Sequence, residues 1–261
     1  MMNHKEFFVP YIPESLGKNT KQALKHFSII ALLFLMLSAV LFSSVQNPFS
    51  KSVFEFNNTK VTGIFYEAPY PMLRVKLNNK DYKTILLLGF GKFSANPYLK
   101  SLRTTYGDLN GKNLSIEGNL IYYNGKTLIQ ITESEKVTLA SNYEENIINP
   151  VALGEKVIEG EVIDPKCYFG VMKPGKGKIH RSCAIRCISG GIPPVFVTSE
   201  ENGLKYYLIT NKNGGTINEA ILEVVGKPCK IRGEVLQQDD WAYIKVDTTQ
   251  IKTLNKTSEI Y

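Results

Sequence analysis

Residues 111–118 read GKNLSIEG, and residues 226–233 read GKPCKIRG. Two copies of one short pattern, more than a hundred residues apart, are the signature of an internal repeat. The match extends outward. Leu128-Ile129-Gln130-Ile131 follows the first copy where Tyr243-Ile244-Lys245-Val246 follows the second, and Gly63 in KVTGIF corresponds to Gly160 in KVIEGEV. Short apolar runs bounded by turn residues predict strands at 60–66, 72–77, 84–88, 112–123 and 126–132. Asn124-Gly125 between the last two is a hairpin signal, because both residues tolerate positive φ. Each half also carries one helical segment ahead of its Gly-Lys, Asn96 to Thr105 and Thr216 to Val225. In the second, Ile217, Ala220, Ile221 and Val224 recur at helical spacing.

Three strands, a helix and two strands is the order of the OB-fold, a small five-stranded barrel. The expected fold is therefore mainly β, with two tandem OB-like five-stranded barrels over residues 53–140 and 156–254. The segment Ser141 to Glu155 links them. A single β-sandwich of about ten strands is the competing architecture, and the repeat favours the barrels.

Ahead of the repeat, Phe27 to Val45 read FSIIALLFLMLSAVLFSSV, nineteen residues with no charge. A helix of that length crosses the roughly 30 Å hydrocarbon core of a bilayer. Twenty-six residues precede it, and Phe42-Ser43-Ser44-Val45-Gln46 makes a poor cleavage site. Both features favour an uncleaved anchor at 27–46 over a removed signal. Lys18, Lys21 and Lys25 crowd its N-terminal edge, which predicts a cytoplasmic tail at 1–26 and exported barrels, periplasmic in a Gram-negative cell. Phe7, Phe8, Tyr11 and Ile12 of that tail lie between prolines and read as a plain tail or a docking peptide. The net charge of +7 does not point to nucleic acid, since an exported chain meets little of it and most Lys residues alternate with acids.

The repeat breaks at one place. Between its first two strands the first half has EAPYP, whereas the second inserts a loop over 164–194, DPKCYFGVMKPGKGKIHRSCAIRCISGGIPP. From Pro165 to Pro194 it carries six basic residues and no acid, with His180 and three of the four cysteines. Long insertions between well-formed strands are where function concentrates. A helix over Ile179 to Ile188, stopped by Gly190-Gly191, places His180, Cys183 and Cys187 at i, i+3 and i+7. Cys167, expected on the approaching strand, completes a Cys₃His set suited to zinc or another thiophilic metal. Oxidation is the other outcome in an exporting compartment, with Cys167 bridged to Cys183 or Cys187 and one thiol left over. Cys229 takes the place of Leu114 in the repeat and reads as a small core residue. Lys173, Lys176, Lys178, Arg181 and Arg186 are the candidate partner-binding residues.

Gly160-Glu161-Val162-Ile163-Asp164, Cys167, His180-x-x-Cys183-x-x-x-Cys187 and Gly190-Gly191-x-Pro193-Pro194-Val195-Phe196-Val197 together resemble a group of bacterial exported OB-like domains. The resemblance covers about residues 156–250. It implies a barrel outside the cytoplasm and no defined activity, and such domains often lack a cysteine at the position of Cys229. No Gly-rich phosphate loop, G-x-S-x-G or H-E-x-x-H occurs. His4 and His26 fall on the cytoplasmic side, leaving His180 as the exported histidine, and Asp239-Asp240 reads as a hairpin tip. The expected function is a non-enzymatic binding or assembly module of an envelope complex, with an envelope protein as partner. The alternative is metal or thiol-redox chemistry in metal handling or respiratory cofactor maturation.

Overall fold

The structure, a computed structural model, describes residues 17–45, 53–78, 81–140, 150–170, 172–200 and 203–254. The first sixteen residues, with Phe7, Phe8, Tyr11 and Ile12, and most of the 141–155 linker lie outside them. α1 (Lys18–Val45) is a 28-residue helix with none of its residues buried. An 18-residue stretch of it has a mean hydropathy of 2.5, and the helix is long and apolar enough to cross a membrane. It begins nine residues ahead of the uncharged run, because Lys, Gln, Ala and Leu are good helix formers.

The first barrel is built from β1 (Val53–Tyr66), β2 (Met72–Lys76), β3 (Tyr82–Gly89), β4 (Asn113–Tyr123) and β5 (Lys126–Ile131). α2 (Asn96–Tyr106) lies between β3 and β4, and a short β6 (Val137–Leu139) is added on the far side of β4. β1 pairs with β2 over Ile64–Tyr66 and with β4 along nearly its whole length, which closes the ring. β3 and β5 run parallel, Ile85 opposite Thr127. Asn124 and Gly125 both take positive φ, 45° and 81°, as the hairpin signal requires.

The second barrel repeats the plan with β7 (Val151–Ile163), β8 (Val195–Glu200), β9 (Gly203–Asn211), β10 (Pro228–Gln238) and β11 (Trp241–Thr253), and it too is closed. β9 and β11 are its parallel pair. Equivalent glycines do equivalent work. A Cβ on Gly63 would stand 2.6 Å from the Arg74 carbonyl oxygen, and one on Gly160 2.1 Å from that of Val197. Gly118 and Gly233 face Gln130 and Lys245 in the same way, at 2.4 and 2.3 Å. Where a single helix is expected over Thr216 to Val225, the chain forms α5 (Asn218–Ile221, the fifth helix after the two of the insertion described below) and then a 3₁₀ turn over Leu222–Val224.

The strands are apolar on both faces, and the reason is a third core between the barrels. Along β3, Ile85 and Leu87 point into the first barrel while Leu86 and Leu88 point out of it. Along β9, Tyr207 and Ile209 fill the second barrel, and Tyr206 and Leu208 face outward. The outward residues join Tyr70, Met72, Ile121, Leu128, Trp241 and Tyr243 in one cluster shared by both barrels. The period-2 alternation of a strand thus separates two buried environments rather than core from water.

Asp239-Asp240 is the β10–β11 hairpin tip, as expected, but it is not a solvent-facing one. Arg74 on β2 donates from Nε to Asp239 Oδ2 at 2.8 Å and from Nη2 to Oδ1 at 3.3 Å, with both side chains almost fully buried. Asp240 Oδ1 accepts from the Thr84 N–H at 2.8 Å, and its other oxygen lies 3.0 Å from Lys83 Nζ. Trp241 Nε1 donates to the Thr84 carbonyl at 3.3 Å. Tyr70 Oη donates to the Ile209 carbonyl at 2.8 Å, so polar bonds cross the seam in both directions.

Candidate metal centre

The insertion between β7 and β8 folds into two helices. Asp164 Oδ1 accepts from the Lys166 N–H at 2.9 Å and caps α3 (Pro165–Phe169), whose first residue is proline. Cys167 therefore sits on a short helix, not on the approaching strand. The difference comes from an Asp-Pro cap too brief for helical periodicity to register. α4 (Gly177–Ser189) is longer than expected at both ends and buries His180, Ala184, Cys187 and Ile188, a stripe at helical spacing. Gly190 and Gly191 end it and seat the insertion on the first barrel. The Ser94 N–H donates to the Gly190 carbonyl at 3.0 Å, and a Cβ on Gly190 would lie 1.8 Å from the Lys92 carbonyl oxygen.

The four expected Cys and His residues come together, but not as one tetrahedron. The ligand atoms of Cys167, His180 and Cys183 all lie within 4.8 Å of one another, and so do those of Asp164, Cys167 and Cys187. Cys167 belongs to both triads. Tetrahedral ligands on zinc stand about 3.8 Å apart, given a Zn–S bond of about 2.3 Å, so each triad needs only small side-chain movements to close on an ion. All four cysteines are free thiols here, and the Cys167 sulfur lies beside both partners expected for a bridge. Cys229 is fully buried inside the second barrel, at the place Leu114 fills in the first. Burial pushes its thiol up to about 12.

Electrostatics suit soft ligands. His180 Nε2 and Asp164 Oδ2 are buried with no hydrogen-bond partner among the described residues, and such orphaned atoms are costly unless something binds them. Burial, with some help from Lys92, holds the His180 imidazole below its ordinary 6.5, against the pull of Asp164, and so favours the neutral, metal-ligating form. The Cys187 thiol is pushed far up by its hydrogen bond to Cys167, then by burial and the Asp164 charge.

Three residues at the site were not legible as part of it. Asp164 supplies the second triad's carboxylate. Lys92, from the first barrel's β3–α2 loop, donates from Nζ to Cys183 Sγ at 3.3 Å. Met172 places its sulfur 4.0 Å from that of Cys167. Lys166 Nζ ties the same loop down through the Gly89 and Gly91 carbonyls, at 2.8 and 2.6 Å. Lys92 lies about seventy-five positions from Cys167 in the chain, and nothing local in either stretch signals the contact.

The basic residues of the insertion divide. Lys173 bonds the Tyr168 carbonyl and stands over the Tyr123 ring at 4.6 Å. Arg181 donates to the Val225 and Glu223 carbonyls at 3.0 and 3.3 Å, holding the 3₁₀ turn. Arg181 is half-buried, whereas Lys173 makes its contacts while exposed. Lys176, Lys178 and Arg186 are exposed.

No family model matches the chain, and no curated protein matches it. Among solved structures, the crystal structure of the tetrameric p202 HIN2 is matched at 9% identity over 78% of this chain and 97% of that one. The TM-score is 0.25, a likeness too low to inform either fold or site.

Proposed function

We propose that this is a membrane-anchored, extracytoplasmic module of a bacterial envelope complex whose inserted loop binds a thiophilic metal and offers it to a partner. One observation carries the reading: Cys167, His180 and Cys183 converge beside Asp164 and Cys187, with two buried polar atoms left unpaired. A purely structural loop has no use for orphaned ligand atoms, whereas a metal would satisfy them. The exported location is supported by α1, about 42 Å long at 1.5 Å per residue, and by Lys18, Lys21 and Lys25 at its N-terminal edge. The resemblance of residues 156–250 to exported OB-like domains points the same way.

A second reading, a docking module that holds no metal, rests on the exposed Lys178 and Arg186 of α4. One measurement separates the two. The full chain is purified in detergent from an oxidising compartment, and free thiols and bound metals are counted on the same sample. Stoichiometric metal, or loading after reduction, supports the first reading. Failure to bind zinc or copper even when reduced removes it and leaves docking.

A further inference from the structure

The site's ligand geometry resting on the metal reading above, we infer that it takes monovalent copper in preference to zinc, held by Cys167, His180 and Cys183, with Met172 and Lys92 at its mouth. Three features converge on that ion. The first is ligand number. Three ligand atoms are mutually close, while Asp164 and Cys187 form a separate triad that meets the first only at Cys167. Structural zinc closes its shell with four protein ligands. A filled-shell monovalent ion of the same row is satisfied by three soft ones.

The second is softness. Two sulfurs and an imidazole form the set, and a thioether stands 4.0 Å from the shared sulfur. Thiolates serve Cu(I), zinc and iron–sulfur clusters alike, but a thioether is not among the usual donors of zinc. Met172 is itself exposed, whereas Cys167 is buried.

The third is charge. Cu(I) with two thiolates carries a net charge of −1, and Lys92 Nζ already donates to Cys183 Sγ at 3.3 Å. The same pair of thiolates around Zn(II) is neutral and offers the half-buried Lys92 ammonium no net negative charge. Loading is a ligand substitution with no electron transfer: two S–H bonds break, two Cu–S bonds form, and two protons leave to solvent. Cys183 is the half-buried member of the triad, between the deep Cys167 and His180 and the surface. An incoming donor adds from the Met172 side and Cys183 departs, which is the order needed to pass the ion on.

The test uses the full chain in detergent, reduced with a non-thiol reductant. Cu(I) is titrated against a chromophoric copper chelator and Zn(II) against a zinc chelator, and X-ray absorption counts the ligands on the loaded wild-type protein. Expected are one Cu(I) per chain, a three-ligand shell with two sulfurs, and no displacement by equimolar zinc. Cys183→Ser should lose at least about 100-fold in affinity, and Met172→Leu about tenfold. Zinc held by four protein ligands in preference to copper overturns the inference while leaving a metal site. Binding of neither ion overturns the metal reading itself. The ligand count is taken on unaltered protein, so a variant that fails to fold does not blunt the test.

Discussion

The first barrel joins its first two strands through residues 67–71, and the second joins the same two strands through residues 164–194. Everything else in the two rings is nearly superposable in plan: closure, parallel pair, hairpin and the glycines under facing carbonyls. The short connection turns the chain and sends one side chain, Tyr70, across the seam to the Ile209 carbonyl. The long one buries Tyr168 and Phe169 between the barrels, where Phe169 meets Tyr123, Tyr206 and Trp241 at 5.8, 5.0 and 6.3 Å. It also collects the thiols. One insertion thus adds to the seam and builds the site, so that a residue of the first barrel, Lys92, reaches a cysteine of the second.

The two hairpin tips give the strongest way to break this comparison. In the first barrel the tip is Asn124-Gly125, and Asn124 Nδ2 makes one bond to Tyr206 Oη at 3.1 Å. In the second it is Asp239-Asp240, buried against Arg74, Thr84 and Lys83. Asp239→Ala strands a buried guanidinium and should cost about 3–5 kcal/mol. Asn124→Ala should cost about 1–2 kcal/mol, one hydrogen bond plus an unfavourable positive φ. Urea unfolding followed by the fluorescence of Trp241, the chain's single tryptophan, reads the seam directly. Equal losses at the two tips would show that the second tip is not the seam's anchor.

A smaller contrast tests the repeat from inside. Leu114 and Cys229 occupy equivalent buried places. Leu114→Ala should cost about 2–5 kcal/mol through the cavity it leaves. Cys229→Ala, which removes one atom, should cost about 1 kcal/mol and leave metal binding intact. Loss of metal from that variant would mean that Cys229 is more than core.

Gly190→Ala comes next. Its Cβ has no space beneath the Lys92 carbonyl, so the insertion must lift from the first barrel at a cost of about 1–3 kcal/mol. The Lys92–Cys183 contact should go with it, shown as faster alkylation of Cys183 by iodoacetamide. Unchanged labelling would mean that the seam holds without this approach.

What the sequence carried follows from what is local. Period-2 strands, the Asn-Gly turn and the paired glycines are decided within a few residues, and the barrels were legible from them. The i, i+3, i+7 spacing likewise foretold how His180, Cys183 and Cys187 share α4. The seam was not legible, because Arg74 in MLRVKL looks like any exposed strand cation until Asp239, 165 residues away, is placed beside it. A signal was nonetheless present. Runs such as ILLL and YYLI are apolar at every position, the pattern of strands buried on both faces, and only a second layer of protein accounts for it. Asp164 was missed as a ligand because the short helix it caps, which turns Cys167 back toward it, left no periodicity in the sequence.

The smallest effect is the most specific to the seam. Lys126, just past the first barrel's tip, bonds the Asp240 carbonyl and lies 4.7 Å from the centre of the Trp241 ring. Burial, aided by Lys83 and opposed by Asp240, lowers its pKa from 10.5 to about 8. A lysine depressed in the folded state binds fewer protons there than in the unfolded chain between those values, so stability rises with pH across that window. Between pH 8 and 9, where few tyrosines of the unfolded chain have ionised, this one group should contribute a gain on the order of 1 kcal/mol. Lys126→Met should lack this gain and show only the fall due to the raised thiols of Cys187 and Cys229 and the tyrosines, and the difference between the two curves isolates this one group. A wild-type curve parallel to that of the variant would place Lys126 in water, and with it the edge of the seam.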